Sequence, residues 1–121
     1  MKQTIKVKFV KDLKREAIIC SDDSNLKTVA EKIINENLNH IVVTDSENKL
    51  IGIVTSFDIT KAIAKDKKNL VDIITKKVIT TTDNEPIDVA TRKMRLNNIS
   101  ALPVIDDLNN VTGIITSEEL I

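Results

Sequence analysis

The chain is poor in the residues that most protein chemistry needs, and each shortage excludes something. Cys20 is the single cysteine among 121 residues, so no disulfide can close within the chain, and the composition suits a reducing cytoplasm. Two glycines cannot build a glycine-rich phosphate loop. Phe9 and Phe57 are the only aromatics, too few for a platform on which bases stack. Lys plus Arg and Asp plus Glu both number 18, a net charge of zero, which argues against nucleic acid as a partner. No apolar run approaches membrane-spanning length, and the first residues do not resemble a signal peptide. His40 is the lone histidine, so neither a Ser-His-Asp set nor a metal-ligand spacing emerges, and a structural or surface role is expected of it. Cys20 has no histidine partner and reads as a buried, inert thiol. No constellation for catalysis is present, and the chain is read as not an enzyme and as metal-free.

What is there is an ordinary soluble balance, 41% apolar and 30% charged, of a length for one compact domain or two very small ones. Its most informative stretches are Gly52-Ile53-Val54-Thr55-Ser56-Phe57-Asp58 and Gly113-Ile114-Ile115-Thr116-Ser117-Glu118-Glu119. Each is a glycine, a short apolar run, two hydroxyls and a carboxylate three residues after the threonine. The apolar run predicts a buried strand, and the hydroxyl pair a helix start. Together they bring backbone N–H groups, hydroxyls and one carboxylate to a point that can hold the sugar or phosphate of a small molecule. The same spacing is also a capping box, which merely satisfies free N–H groups at a helix start.

The two stretches are separated by a constant offset of 61 residues, and the offset holds well beyond them. Ile18, Asp22, Lys32, Asn37, Val43, Asp45 and Asn48 fall on Ile79, Asp83, Lys93, Asn98, Val104, Asp106 and Asn109 without a gap. Such self-similarity reads as an internal duplication. Alternation of Ile5, Val7 and Phe9 predicts a strand within residues 2–11. Residues 17–20 predict a strand, and Leu26, Val29, Ala30, Ile33, Ile34 and Leu38 a helix with Ser24 as N-cap. Strands follow at 41–43 and 50–54, then a helix from Ser56 to about Lys65. The charged run 65–69 is a solvated connection, so the units are drawn at 1–64, with the N-terminal strand or arm, and 65–121. Each is strand, helix, strand, strand, helix. A core of that size is marginal alone, so the copies should pack together.

Two β-α-β-β-α units, each ending in glycine, two apolar residues and Thr-x-x-Asp or its near equivalent, resemble a CBS domain pair (Bateman module), the module named after cystathionine β-synthase. The resemblance spans nearly the whole chain and includes Ala101-Leu102-Pro103-Val104, which is similar to the family's second strand. It implies a mixed α/β fold, two units packed about a pseudo-twofold axis with clefts between them, and an adenosine-containing ligand. Carried over to this chain, Asp58 would hold the ribose hydroxyls and Thr55 ribose or phosphate, facing Val78, Ile79, Ile99 and Ser100 around the base, with Ile74 and Thr75 nearby and Ile53 and Ala101 in the same cleft. A second, weaker site would use Ile18, Asn39, Thr116 and Glu119. Glu119 stands where the family has Asp, and its extra methylene misplaces a ribose contact.

Ala101 occupies a position that is often basic in nucleotide-binding relatives. The cleft is therefore expected to prefer S-adenosylmethionine or methylthioadenosine over AMP or ATP, with Lys76 and Lys77 the cations that could swing toward a phosphate. Met94 is expected in the core, or at the apolar end of the cleft. Two classes of function follow. One is a regulatory sensor whose ligand shifts the units and so biases an attached domain or partner. The other is a structural module that homodimerises through its motif helices, with Phe57, Ala62 and Ile63 as the surface. The last helix, compared with the one from Ser56, should run past Ile121, so the chain is either a piece of a longer protein or ends in a short helix.

Overall fold

The computed structural model describes residues 8–120. In the first half β1 (Ile19–Ser21), α2 (Leu26–Glu36), β2 (His40–Thr44), β3 (Leu50–Thr55) and α3 (Ser56–Ala64) follow a short α1 (Val10–Leu13). In the second, a 3-10 turn (Leu70–Asp72) precedes α4 (Ile87–Asn97), β4 (Ala101–Ile105), β5 (Val111–Thr116) and a closing 3-10 turn (Ser117–Leu120). The mixed α/β repeat predicted from the offset is present. Among the described residues no helix is long and apolar enough to cross a membrane.

Local chemistry explains most of the boundaries. The Asn25 side chain accepts from the Thr28 N–H at 2.8 Å and starts α2, so Asn25, not Ser24, is the cap. The Ser24 hydroxyl faces Ser21 Oγ instead, at 3.2 Å. Asn37 and Asn98 end α2 and α4 in the left-handed region, φ 51° and 52°, which asparagine tolerates better than most residues. The predicted N-terminal strand fails where it can be judged. Val10 and Lys11 are helical, and Phe9 makes a single bridge to Pro86. Ile5 and Val7 lie outside the described residues.

β1 pairs parallel with β2, and β2 antiparallel with β3. β4 and β5 repeat the hairpin, but the second copy of β1 shrinks to one bridge, Thr81 to Val104. Proline is the reason. Val42 donates its N–H to the Ile18 carbonyl at 2.9 Å. Its counterpart 61 residues on is Pro103, which has no N–H to give.

The two halves interlock through their lead-in segments. Val10 is fully buried among Ala90, Met94, Leu102, Val104 and Ile115 of the second half. Leu70 and Ile74, which follow the connection, are buried with Cys20, Val29, Ile41, Val43, Val54 and Ile59 of the first. Backbone hydrogen bonds fix the exchange: Ile53 and Thr75 bond each other in both directions at 3.1 Å, and Ile114 and Arg15 at 2.9 Å. Each glycine of the repeat lies under such a crossing. A Cβ on Gly52 would stand 2.6 Å from the Thr75 oxygen, and one on Gly113 2.8 Å from the Arg15 oxygen. Close approach, not a positive φ, requires glycine there. A third cluster of Ala17, Val42, Ala101, Val111 and Ile114 seals the halves.

At one end the two hairpin turns clasp each other reciprocally. Leu50 N–H donates to the Asn109 carbonyl and Val111 N–H to the Asn48 carbonyl, both at 3.1 Å. The Asn48 and Asn109 amides donate back, to the Val111 and Leu50 carbonyls. Both asparagines have φ 65°. Every member of this set has its image 61 residues away, as a twofold relation between the halves requires.

Candidate functional site

Away from the clasp, the halves part around a cavity of ≈ 760 Å³. That size lies within the usual range of small-molecule pockets. Nine residues singled out from the sequence line it: Ile53, Thr55, Asp58, Thr75, Val78, Ile79, Ile99, Ser100 and Ala101. They come from β3, α3, β4 and the chain before it, so both halves contribute. Ile79 and Ile99 are 36% and 37% exposed, apolar surface that an inserted ring would cover.

Ile74 is the exception in that set. It is buried in the core of the first half, its Cγ2 directed at Gly52, because the interlock draws the lead-in under β3 and leaves Thr75 to face the cavity. Met94 takes both of its expected places, 5% exposed in the second core and present in the cavity wall. Lys77 lines the cavity and Lys76 does not.

Asp58 has two roles in the structure. Its Oδ2 accepts from the Thr55 N–H at 2.8 Å, and the Asp58 N–H donates to Thr55 Oγ1 at 3.2 Å. That is a complete capping box, and it starts α3. Oδ1 is left with Lys61 Nζ at 3.6 Å, a loose contact on a half-exposed lysine. The carboxylate is thus fixed by one oxygen and presents the other within a group that borders the open cavity.

The second motif closes on itself. Glu119 Oε1 accepts from the Thr116 N–H at 3.2 Å, and Oε2 from the Thr116 hydroxyl at 2.7 Å. The extra methylene lets the carboxylate fold back over its own threonine. Of the four residues expected at the weaker site, Asn39 and Thr116 line a smaller cavity of ≈ 160 Å³. Ile18 packs against the first core instead, and Glu119 is not in that wall, its place being taken by Glu118.

Six lining residues escaped the sequence reading: His40, Thr91, Arg95, Asn98, Ser117 and Leu120. His40 Nε2 lies 3.0 Å from Ser100 Oγ, joining the starts of β2 and β4. Burial pushes its pKa down from 6.5, opposed by the charge of Glu118. Its image at the 61-residue offset is Ala101, already a site residue, and that symmetry was the signal for it. Arg95 and Asn98 share one face of α4 with Thr91 and also line the cavity; their three- and four-residue spacing was the signal. Of the two expected cations Lys77 is in the wall and Lys76 is not, and Arg95 is a further cation there. Among the described residues, neither Lys77 nor Arg95 is in an ion pair. Cys20 is buried, and burial raises its thiol pKa despite Lys32, so it stays protonated and unreactive. Among the described residues no three His, Cys, Asp or Glu side chains are grouped to hold a metal ion.

Comparison with known proteins gives this geometry its relatives. L-aspartate semialdehyde sulfurtransferase of Methanocaldococcus jannaschii is 41% identical over 115 residues, 94% of this chain and 23% of that protein. Homoserine O-acetyltransferase of Methanohalobium evestigatum is 39% identical over 113 residues, 93% of this chain and 23% of that protein. The chain therefore spans about a quarter of the length of these relatives. Among solved structures, the CBS domain pair of protein MJ0100, in complex with 5′-methylthioadenosine and S-adenosyl-L-methionine, is 40% identical with a TM-score of 0.91, covering 95% of this chain and 94% of that one. The CBS domain family model matches residues 10–65 and again 70–121. With both halves matched, the chain belongs to the CBS domain family and is a tandem CBS pair.

Proposed function

We propose that this CBS pair is a regulatory module that binds an adenosyl ligand in the cavity between its halves. S-adenosylmethionine or methylthioadenosine is preferred over AMP or ATP. Binding changes the relative placement of the halves and so controls an attached domain or partner; the pair performs no catalysis of its own. The observation that carries the reading is the open ≈ 760 Å³ cavity with Asp58 in its wall, one carboxylate oxygen fixed by the helix cap and the other available to ribose hydroxyls. A carboxylate accepting from hydroxyls makes a charge-assisted bond, stronger than a neutral one. Val78, Ile79, Met94 and Ile99 give the flat base an apolar lining. The two sulfur ligands are preferred because the MJ0100 pair, 40% identical, holds both.

The interlocked lead-ins give ligand binding a mechanical route. Thr75 faces the cavity and is bonded to Ile53 beneath it, so a ligand that displaces Thr75 pulls on the segment leading into the second half. Calorimetry with methylthioadenosine, S-adenosylmethionine, AMP and ATP in parallel tests the reading. Binding of the first two ahead of the nucleotides is expected. Tight AMP binding with no response to either sulfur ligand overturns the preference.

A second reading, homodimerisation through the motif helices, is favoured by Phe57 and Ile63, 66% and 71% exposed on α3. Ala62 does not belong to that surface, being 1% exposed. Sedimentation of Phe57→Ser against the unaltered chain tests it, with a shift toward monomer expected.

A further inference from the structure

The antiparallel pairing of β2 with β3 sets His40 directly opposite Thr55. Residues paired in this way stand on one face of a sheet, their Cα atoms about 4.5–5.5 Å apart. Both line the large cavity, together with Asp58. A molecule seated on Thr55 and Asp58 therefore lies against the imidazole. At the 61-residue offset the matching pair is Ala101 and Thr116, so the second motif has no titratable group in that place. The His40 ring is half-buried, and its Nε2 meets Ser100 Oγ of the other half at 3.0 Å. It is held where an occupant of the cavity covers it.

Histidine is the side chain whose ordinary pKa lies between pH 5 and 8, and His40 is the only one in the chain. Charged groups stand on both sides of it. Asp58 from α3, Lys77 from the segment after the first 3-10 turn and Arg95 from α4 share the wall of the large cavity, and Glu118 from the closing turn shares that of the smaller one. Asp58 caps α3 and contacts Lys61. Among the described residues no ion pair joins His40 to a carboxylate. Burial favours the neutral ring, and the charge of Glu118 opposes it. A neutral ligand that fills the cavity takes water from the ring and brings no charge in exchange, so it favours the neutral ring further. An anionic ligand would do the reverse.

We infer that His40 makes ligand binding proton-linked: a neutral adenosyl ligand seated on Thr55 and Asp58 expels the imidazole's proton, so the cavity binds it more weakly as the medium turns acid. This rests on the adenosyl reading of the large cavity and adds to it a pH dependence confined to one of the two motifs. The linkage is reciprocal, since a ligand that releases a proton is itself released by one. Affinity is full while the free chain's His40 is neutral. It falls as pH drops through the value at which that ring takes up its proton.

Calorimetry of methylthioadenosine, an uncharged ligand, on the full chain tests the linkage. Affinity is expected to fall about twofold from about pH 7.5 to about pH 5.5, the factor that follows when binding lowers the imidazole pKa by about half a pH unit. At about pH 6, heats measured in two buffers of different ionisation heat should show protons released on binding. His40→Gln keeps a polar side chain beside Ser100 but cannot titrate, so it should bind at about pH 7.5 and lose both the pH dependence and the proton release. Glu118→Gln removes the charge that favours the protonated ring, and should move the fall in affinity to lower pH. Proton uptake in place of release, or a His40→Gln profile that matches the unaltered chain, overturns the linkage and leaves the adenosyl reading standing. If the unaltered chain does not bind methylthioadenosine at about pH 7.5, the adenosyl reading falls and the linkage falls with it.

Discussion

The same motif occurs twice in this chain and does two different things. Thr55 and Asp58 start a nine-residue helix and stand in the wall of a large cavity. Thr116 and Glu119 start a four-residue 3-10 turn, and the carboxylate closes over its own threonine. A single methylene separates the two acids. The lesson is that a capping carboxylate becomes available to a ligand when its side chain is too short to satisfy both oxygens locally.

The halves can be pulled apart experimentally, beginning with the interlock. Leu70→Ala is expected to cost about 2–5 kcal/mol, as for other fully buried leucines. Val10→Ala, its opposite number in the second core, is expected to cost about 2 kcal/mol because it removes fewer atoms. Urea unfolding of both measures the difference, and a negligible loss in either would mean that its lead-in does not hold the opposite half.

The glycines sharpen the comparison next. At Gly52 an added methyl meets both the Ile74 Cγ2 methyl and the Thr75 backbone oxygen, the latter at 2.6 Å. At Gly113 it meets a backbone oxygen at 2.8 Å and then the flexible Lys14 side chain at 3.1 Å. Gly52→Ala should therefore lower stability by about 1–3 kcal/mol, and Gly113→Ala by less. Thermal melting of the pair checks the order.

Asp58 and Glu119 separate cap from ligand. Asp58→Asn keeps an acceptor for the Thr55 N–H but removes the charge, so methylthioadenosine binding should weaken about tenfold or more. Glu119→Gln should leave that binding unchanged. Comparable losses in both by calorimetry would erase the distinction between the two motifs.

His40 gives the smallest effect. Burial holds its pKa below 6.5, outweighing Glu118. The folded chain then binds the proton less tightly than the unfolded one, so this residue's contribution to stability is lost as pH falls below about 6.5. Urea midpoints at about pH 7.5 and about pH 5.5 should show that decline reduced in His40→Gln.

Much of this was legible in sequence because it is local or repeated. The 61-residue offset carried the hairpin turns with their left-handed asparagines, the helix periodicity of α2 and the Thr-x-x-Asp box, each set by neighbours a few residues apart. The nine cavity residues that agree were reached through the family resemblance as well as the motif. Ile74 was misplaced because Ile74 and Thr75 read alike as candidates, and which one faces the cavity depends on how the lead-in passes under Gly52. His40 was read as bland because its partner Ser100 is 60 residues away. The missing parallel strand was written in Pro103, but it becomes meaningful only when Val42 is seen donating from the matching position.

By itself, the sequence determined that this protein is a duplicated α/β unit with a capped motif in each copy, since periodicity, turn chemistry and duplication act within short stretches of chain. Tertiary structure alone decided that the lead-ins exchange cores, that one motif faces open space while the other closes, and that His40 joins the halves beside both cavities. Those outcomes depend on distances between segments that no local preference encodes: the close passage of a backbone oxygen over each of two glycines, and the reach of one methylene.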